Sequence, residues 1–181
     1  MSENWPVTDP LYVRYSGEWS WDVIHDLIKS WLVQNYYTKY TEKKNKTKVG
    51  GSGIETEIEI DADKKVTSLA KYSISIAIHI WDVKESDVIV DGKTQKINKG
   101  RIEIVLTGTV ILDYQGAFEK DSGLNKNFQK KLKDWFFKIR FTELDSAHFD
   151  GLKESLYNLQ TKIKEALHME TSYTAYNISS S

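Results

Sequence analysis

Cysteine is absent from all 181 residues, which excludes disulfide scaffolds, thiol nucleophiles, iron–sulfur clusters and cysteine-ligated zinc. A surplus of one charge is absent too. The 25 Lys and Arg stand against 26 Asp and Glu, so no global field steers the chain to nucleic acid or membrane. With two prolines, ten glycines and 40% hydrophobic residues, the composition excludes a disordered or low-complexity chain. No apolar run approaches the roughly 20 residues that cross a bilayer. The longest, Ile74 to Trp81, is interrupted by Ser75 and His79. Met1-Ser-Glu-Asn-Trp-Pro has neither the basic nor the apolar region of a signal peptide. A soluble cytoplasmic protein with no membrane partner is therefore expected.

What the chain does have is aromatic mass and alternation. Six Trp, ten Tyr and six Phe supply large core side chains. A chain of this length hides about two thirds of its unfolded surface and needs no metal to hold a core. Leu11, Val13 and Tyr15 alternate as a first strand. Ser20 then stands as N-cap, and Trp21, Ile24, Leu27, Ile28, Trp31 and Leu32 form one apolar helical stripe. Tyr36 to Val49 suits a half-exposed strand. Three even-numbered rows follow: Ile54, Ile58 and Ile60; Tyr72 to Ile80; and Ile102, Ile104, Leu106, Val110 and Leu112. Period-two rows of this kind fit strands and not helices. Gly50-Gly-Ser-Gly53, Lys64 to Thr67, Asp91-Gly92 and Asn98-Lys-Gly100 read as the connections, and Gly108 as a bend or bulge. Phe128, Leu132, Trp135, Phe136 and Ile139 predict a helix from Asn125 to about Phe141. Leu152, Leu156, Leu159, Ile163 and Leu167 predict another, with Asp145, Ser146 and Gly151 in the break between the two.

No repeat or linker divides the chain, so residues 1–181 read as one domain with loose ends at 1–9 and 170–181. Alternation demands one covered sheet face, and the amphipathic helices are the available cover. The expected fold is a two-layer α+β domain. A curved antiparallel meander of about six strands is covered on one face by an N-terminal helix and two C-terminal helices.

The odd-numbered residues then share the second face. Ser73 and Ser75 approach Thr107 and Thr109, while His79 and Trp81 approach Glu103 and Arg101. On the outer strands Glu55 and Glu57 oppose Lys44 and Lys46. Such a face is either plainly solvated, held by cross-strand pairs, or the floor of a site with His79 and Trp81 at one end. The four histidines form no His-x3-His pair and no His-Glu-x-x-His motif, so neither metal nor cofactor is expected. His79 and Glu103 with Ser75 would supply a base, its orienting carboxylate and a nucleophile only within hydrogen-bond reach. The glycine cluster at 50–53 lacks the Lys-Ser/Thr of a phosphate loop.

The order strand, helix, meander, helix resembles that of the helix-grip proteins (START-like and polyketide-cyclase-like), in which a curved sheet wraps a long C-terminal helix around an apolar cavity. The resemblance spans most of the chain and rests on element order. It departs by one helix rather than two after the first strand, and by two C-terminal helices rather than one. It implies a carrier or sensor of an apolar small molecule, with a cavity lined by Trp31, Trp135 and Phe136.

The leading expectation is a non-catalytic binding protein that uses the open sheet face or a strand edge to meet a protein partner or its own copy. Ser75, His79, Trp81, Arg101, Glu103 and Thr107 would form the binding surface. Tyr37 and Tyr40 interleaved with Lys44 and Lys46 offer an alternative, stacking and phosphate contact for single-stranded nucleic acid, although the balanced charge speaks against it.

Overall fold

A computed structural model describes residues 3–50, 53–90, 93–115, 125–144 and 148–169. The chain runs β1 (Glu3–Pro6), β2 (Leu11–Trp19), α1 (Trp21–Gln34), β3 (Lys39–Gly50), β4 (Gly53–Lys65), β5 (Ala70–Val90), β6 (Lys93–Leu112), α2 (Lys126–Leu144) and α3 (Asp150–Ala166). All strands join one antiparallel sheet in the order β1-β6-β5-β4-β3, with β2 continuing the edge beside β6. The two edges do not meet, so the sheet is open, and it packs against three helices.

The even-numbered rows are the core. Ile58, Ile60, Ile74, Ile76, Ile78, Ile102, Ile104 and Leu106 are all buried, as the alternation predicts. Ile24, Ile28 and Leu32 of α1 and Leu152, Leu156, Leu159 and Ile163 of α3 close over them. Each such side chain contributes about 1.5–3 kcal/mol by leaving water. Trp31 lies flat against Tyr37, their ring centres 5.9 Å apart, and its indole N–H donates to Asn158 Oδ1 at 3.0 Å, which ties α1 to α3.

Several local features differ from the sequence reading. Residues 1–9 are expected to be loose, yet Glu3–Pro6 pairs with Leu112–Thr109 as β1. Ser20 is the N-cap residue as expected, but its side chain makes no cap bond; the first helical N–H of α1, from Trp21, goes to Asn98 Oδ1 of β6 at 3.2 Å. Asn98-Lys-Gly100 is therefore no turn but a stretch of β6, paired throughout with Trp19–Gly17. β3 begins at Lys39, because Tyr36 (φ 62°) reverses the chain after α1 while the Tyr36 and Tyr37 N–H groups close the last helical carbonyls. The β4–β5 turn is held by Thr67 Oγ1, which accepts from the N–H of Leu69 and Ala70. Val90 pairs with Lys93, so the two-residue hairpin expected at Asp91-Gly92 stands, and the glycine turn expected over 50–53 is shorter, since Gly50 pairs with Gly53; both tips lie outside the described residues. The interhelical break expected at Asp145, Ser146 and Gly151 also falls partly outside them, and Gly151 itself is in the first turn of α3.

The largest correction concerns α2. Its apolar stripe is expected to face the sheet. Instead Phe128, Leu132, Trp135 and Ile139 are exposed, and among the described side chains of the helix the buried one is Lys133. The contact that goes with this rotation is electrostatic. The Asp113 carboxylate is fully buried at the end of β6, and Lys133 Nζ reaches it at 3.5 Å while also meeting Glu3 at 3.3 Å. A carboxylate removed from water needs a cation beside it. Lys133 lies about 100–160° around the helix from the stripe, so with Lys133 on Asp113 the stripe faces outward.

Candidate functional site

The helix-free face of the sheet carries the odd-numbered residues in the register the sequence predicts. Ser73 pairs with Thr109, Ser75 with Thr107, His79 with Glu103 and Trp81 with Arg101. The outer pairing is one pair displaced: Lys46 is opposite Glu57 and Lys48 opposite Glu55, because β3 bulges between Lys44 and Lys46.

Across this face the strands differ in character. β4 presents Glu55, Glu57, Glu59, Asp61 and Asp63 as a continuous acidic column, partly answered by Lys43 on Asp61 at 3.7 Å and Lys71 on Asp63 at 2.9 Å. β5 and β6 run through Ser73, Ser75, Ala77, Val105, Thr107 and Thr109, short side chains that leave the middle of the face low. Thr107 Oγ1 donates to the Ser75 carbonyl at 3.3 Å, which fixes one of them in place.

Where the low strip ends, the large side chains gather. The His79 ring stacks on Trp81 with centres 4.1 Å apart and planes 25° from parallel. His79 Nε2 bonds Glu55 Oε1 at 2.8 Å, while Glu103 is taken by Arg14. That hydrogen bond and the Glu103 charge push the exposed Arg14 guanidinium above its ordinary range. Arg101 lies over the Trp81 ring at 5.2 Å and donates to Asp82 through Nε at 2.8 Å. Asp82 holds φ 59° at a bulge between Trp81 and Lys84. Gly100 permits that bulge: a Cβ there would lie 3.0 Å from the Trp81 carbonyl oxygen and 3.1 Å from the Val83 Cα. The bulge is what aims Asp82 at Arg101.

Two shallow depressions, both open to solvent, flank the His79–Trp81 stack. One, of about 250 Å³, is floored by Ala77 and Val105 and walled by Glu57, Glu59, His79 and Glu103. The other, of about 300 Å³, is lined by Arg14, Tyr15, Ser16, Trp81, Arg101 and Glu103. An acidic hollow and a basic hollow thus share Glu103 as their common wall.

The remaining expected groupings come apart. Ser75 is four residues along the same strand from His79, about 13 Å away, so a base–nucleophile pair does not form. Trp31 borders an open groove between α1 and α3 with Leu27 and Ala166, whereas Trp135 stands 60% exposed and Phe136 half-buried on α2; the three do not share one cavity. Tyr37 is buried and Tyr40 exposed, so they offer no common stacking surface; the side chains of Lys44 and Lys46 lie outside the described residues. Composition alone could not show that Glu55, Glu57 and His79 bring ligand atoms within 4.8 Å of one another. The available signal was a Glu-x-Glu on a strand beside a histidine, a sheet spacing rather than a helical one. In this half-exposed trio His79 bonds Glu55 and has Glu57 as its cross-strand neighbour, which accounts for the closeness without an ion.

The chain matches no protein-family model and no curated protein.

Proposed function

We propose that this is a non-catalytic binding protein that receives a mixed-charge segment of a protein partner on its helix-free sheet face. The reading is supported above all by the adjoining acidic and basic hollows on either side of the His79–Trp81 stack. A basic residue of the partner enters beside Glu57 and Glu59, and an acidic one meets the outer donors of Arg14 and Arg101. Trp81 supplies the flat apolar contact between them, the role that tryptophan most often takes in interface hot spots. Electrostatic complementarity of this kind selects the partner and its orientation more than it raises affinity.

The test is an array of extended decapeptides carrying both charges, read by binding to the intact protein. Trp81→Ala, and separately Glu57→Lys with Glu59→Lys, should weaken the best peptide by about tenfold or more with melting unchanged. Retention of full binding by both variants removes the reading. Sedimentation showing a dimer that Trp81→Arg dissociates would replace the foreign partner with a second copy of the chain.

A further inference from the structure

The helix α2 presents a surface that the sheet-face reading does not use. Phe128, Leu132, Trp135 and Ile139 recur at steps of four, three and four. At 100° per residue they fall within an arc of about 60°, and all four are exposed. Beside this stripe, on the flank away from the protein body, stand the exposed Lys131 and Lys138, with Lys130 further round. Asp134 is the one exposed acid among the described side chains of the helix. The stripe is held outward: Lys133, on the other side of the helix, is engaged with buried Asp113 and with Glu3. Turning the stripe inward would pull Lys133 off that carboxylate.

We propose that α2 is an interfacial helix that lies on anionic lipid bilayers, with Trp135 and its three neighbours among the upper acyl chains and the lysines among the headgroups. Three features favour a lipid surface over a protein. The apolar arc is bordered by lysine, which protein interfaces exclude from their centres. A tryptophan with an exposed ring is the side chain that settles at the membrane–water boundary. The combination of low net hydrophobicity, a lysine-rich polar side and a Trp/Phe/Leu stripe is that of helices lying in the plane of a membrane, about 5–10 Å deep. No helix among the described residues is long and apolar enough to cross a membrane, and this mode of binding requires none. The balanced total charge of the chain does not oppose it, because the lysines are grouped where the apolar stripe is.

The experiment is flotation of the full-length protein with vesicles of phosphatidylcholine alone and of phosphatidylcholine with 30% phosphatidylserine, at low and at 0.5 M salt. Binding should be at least about tenfold stronger to the anionic vesicles and fall steeply with salt. Trp135→Ala with Leu132→Ala should abolish it, and Lys131→Glu with Lys138→Glu should reduce it to the neutral-vesicle level. All four positions are exposed, so circular dichroism and melting should be unchanged. Binding that is absent at low salt, equal on both vesicles, or retained by both double variants overturns the proposal. So does a concentration-dependent dimer that Trp135→Ala with Leu132→Ala disrupts while anionic vesicles remain unbound, since the stripe then serves a second copy of the chain. Trp81→Ala should leave flotation intact, which separates this surface from the sheet face.

Discussion

Gly108 on β6 is paired with Ile74 in unbroken register, so it marks neither a bend nor a bulge. Its missing side chain is a space for α3: a Cβ there would stand 2.5 Å from Leu156 Cδ1 and 3.3 Å from Val7 Cγ2. Leu156 is itself fully buried and has little room to withdraw. Gly108→Ala should therefore destabilise the fold by about 1–3 kcal/mol, the usual cost of overpacking, against the gain that alanine normally brings to a strand. Adding Leu156→Val should recover part of that loss. A urea-denaturation cycle of the two single variants and the double checks the coupling, and strictly additive losses would refute the contact as the cause. The same residue-scale lesson holds at Gly100, where close approach of the Trp81 and Asp82 carbonyls, not a turn, excludes a side chain. In both cases the glycine was visible and its reason was not, because the reason sits on a segment distant in sequence.

Among the elements, α1 and α3 follow their stripes and α2 does not. Hydrophobic periodicity identifies α2 as a helix and gives its length within a few residues, with Asn125 Oδ1 accepting the Asn127 N–H at its start. It does not show which side meets the sheet, because among the described side chains of the helix the buried one is Lys133, whose contact with Asp113 no apolar spacing encodes. Removing the cation from a buried pair leaves the carboxylate uncompensated, a change that typically costs about 3–5 kcal/mol. Lys133→Met should accordingly destabilise the protein by about 3 kcal/mol. Lys130→Met on the exposed side should stay within about 0.5 kcal/mol. Thermal melts of the two variants decide it. Equal, small effects would mean that the Asp113 contact does not hold α2.

At the scale of the whole molecule, stability should fall at both ends of the pH range. His148 donates to or accepts from the Tyr72 hydroxyl at 3.1 Å, and burial lowers its pKa below the ordinary 6.5. Below pH 6.5 the unfolded chain therefore binds a proton that the folded chain refuses. Stability declines as pH falls from there and levels off once the folded histidine also titrates. Burial raises the Tyr37 phenol, and Tyr72 likewise, above the ordinary 10.0. Above that pH the unfolded chain has lost a proton that the folded chain keeps, so stability declines as pH rises. Urea midpoints from pH 5 to 11 should show both limbs. His148→Gln should flatten the acid one and Tyr37→Phe the alkaline one, and a variant that leaves its limb unchanged disproves that assignment. Alternation and helical spacing were enough to determine the strands, their buried even rows, the covering helices α1 and α3, and the placing of His79, Trp81, Arg101 and Glu103 on one shared face, because side-chain direction along a strand follows from position number. The tertiary structure alone decided that His79 bonds Glu55, that Glu103 goes to Arg14, that Trp31, Trp135 and Phe136 part company, and that α2 turns its apolar stripe outward. Those outcomes depend on which charges compete for each partner across strands and helices far apart in sequence, and no local spacing encodes that competition.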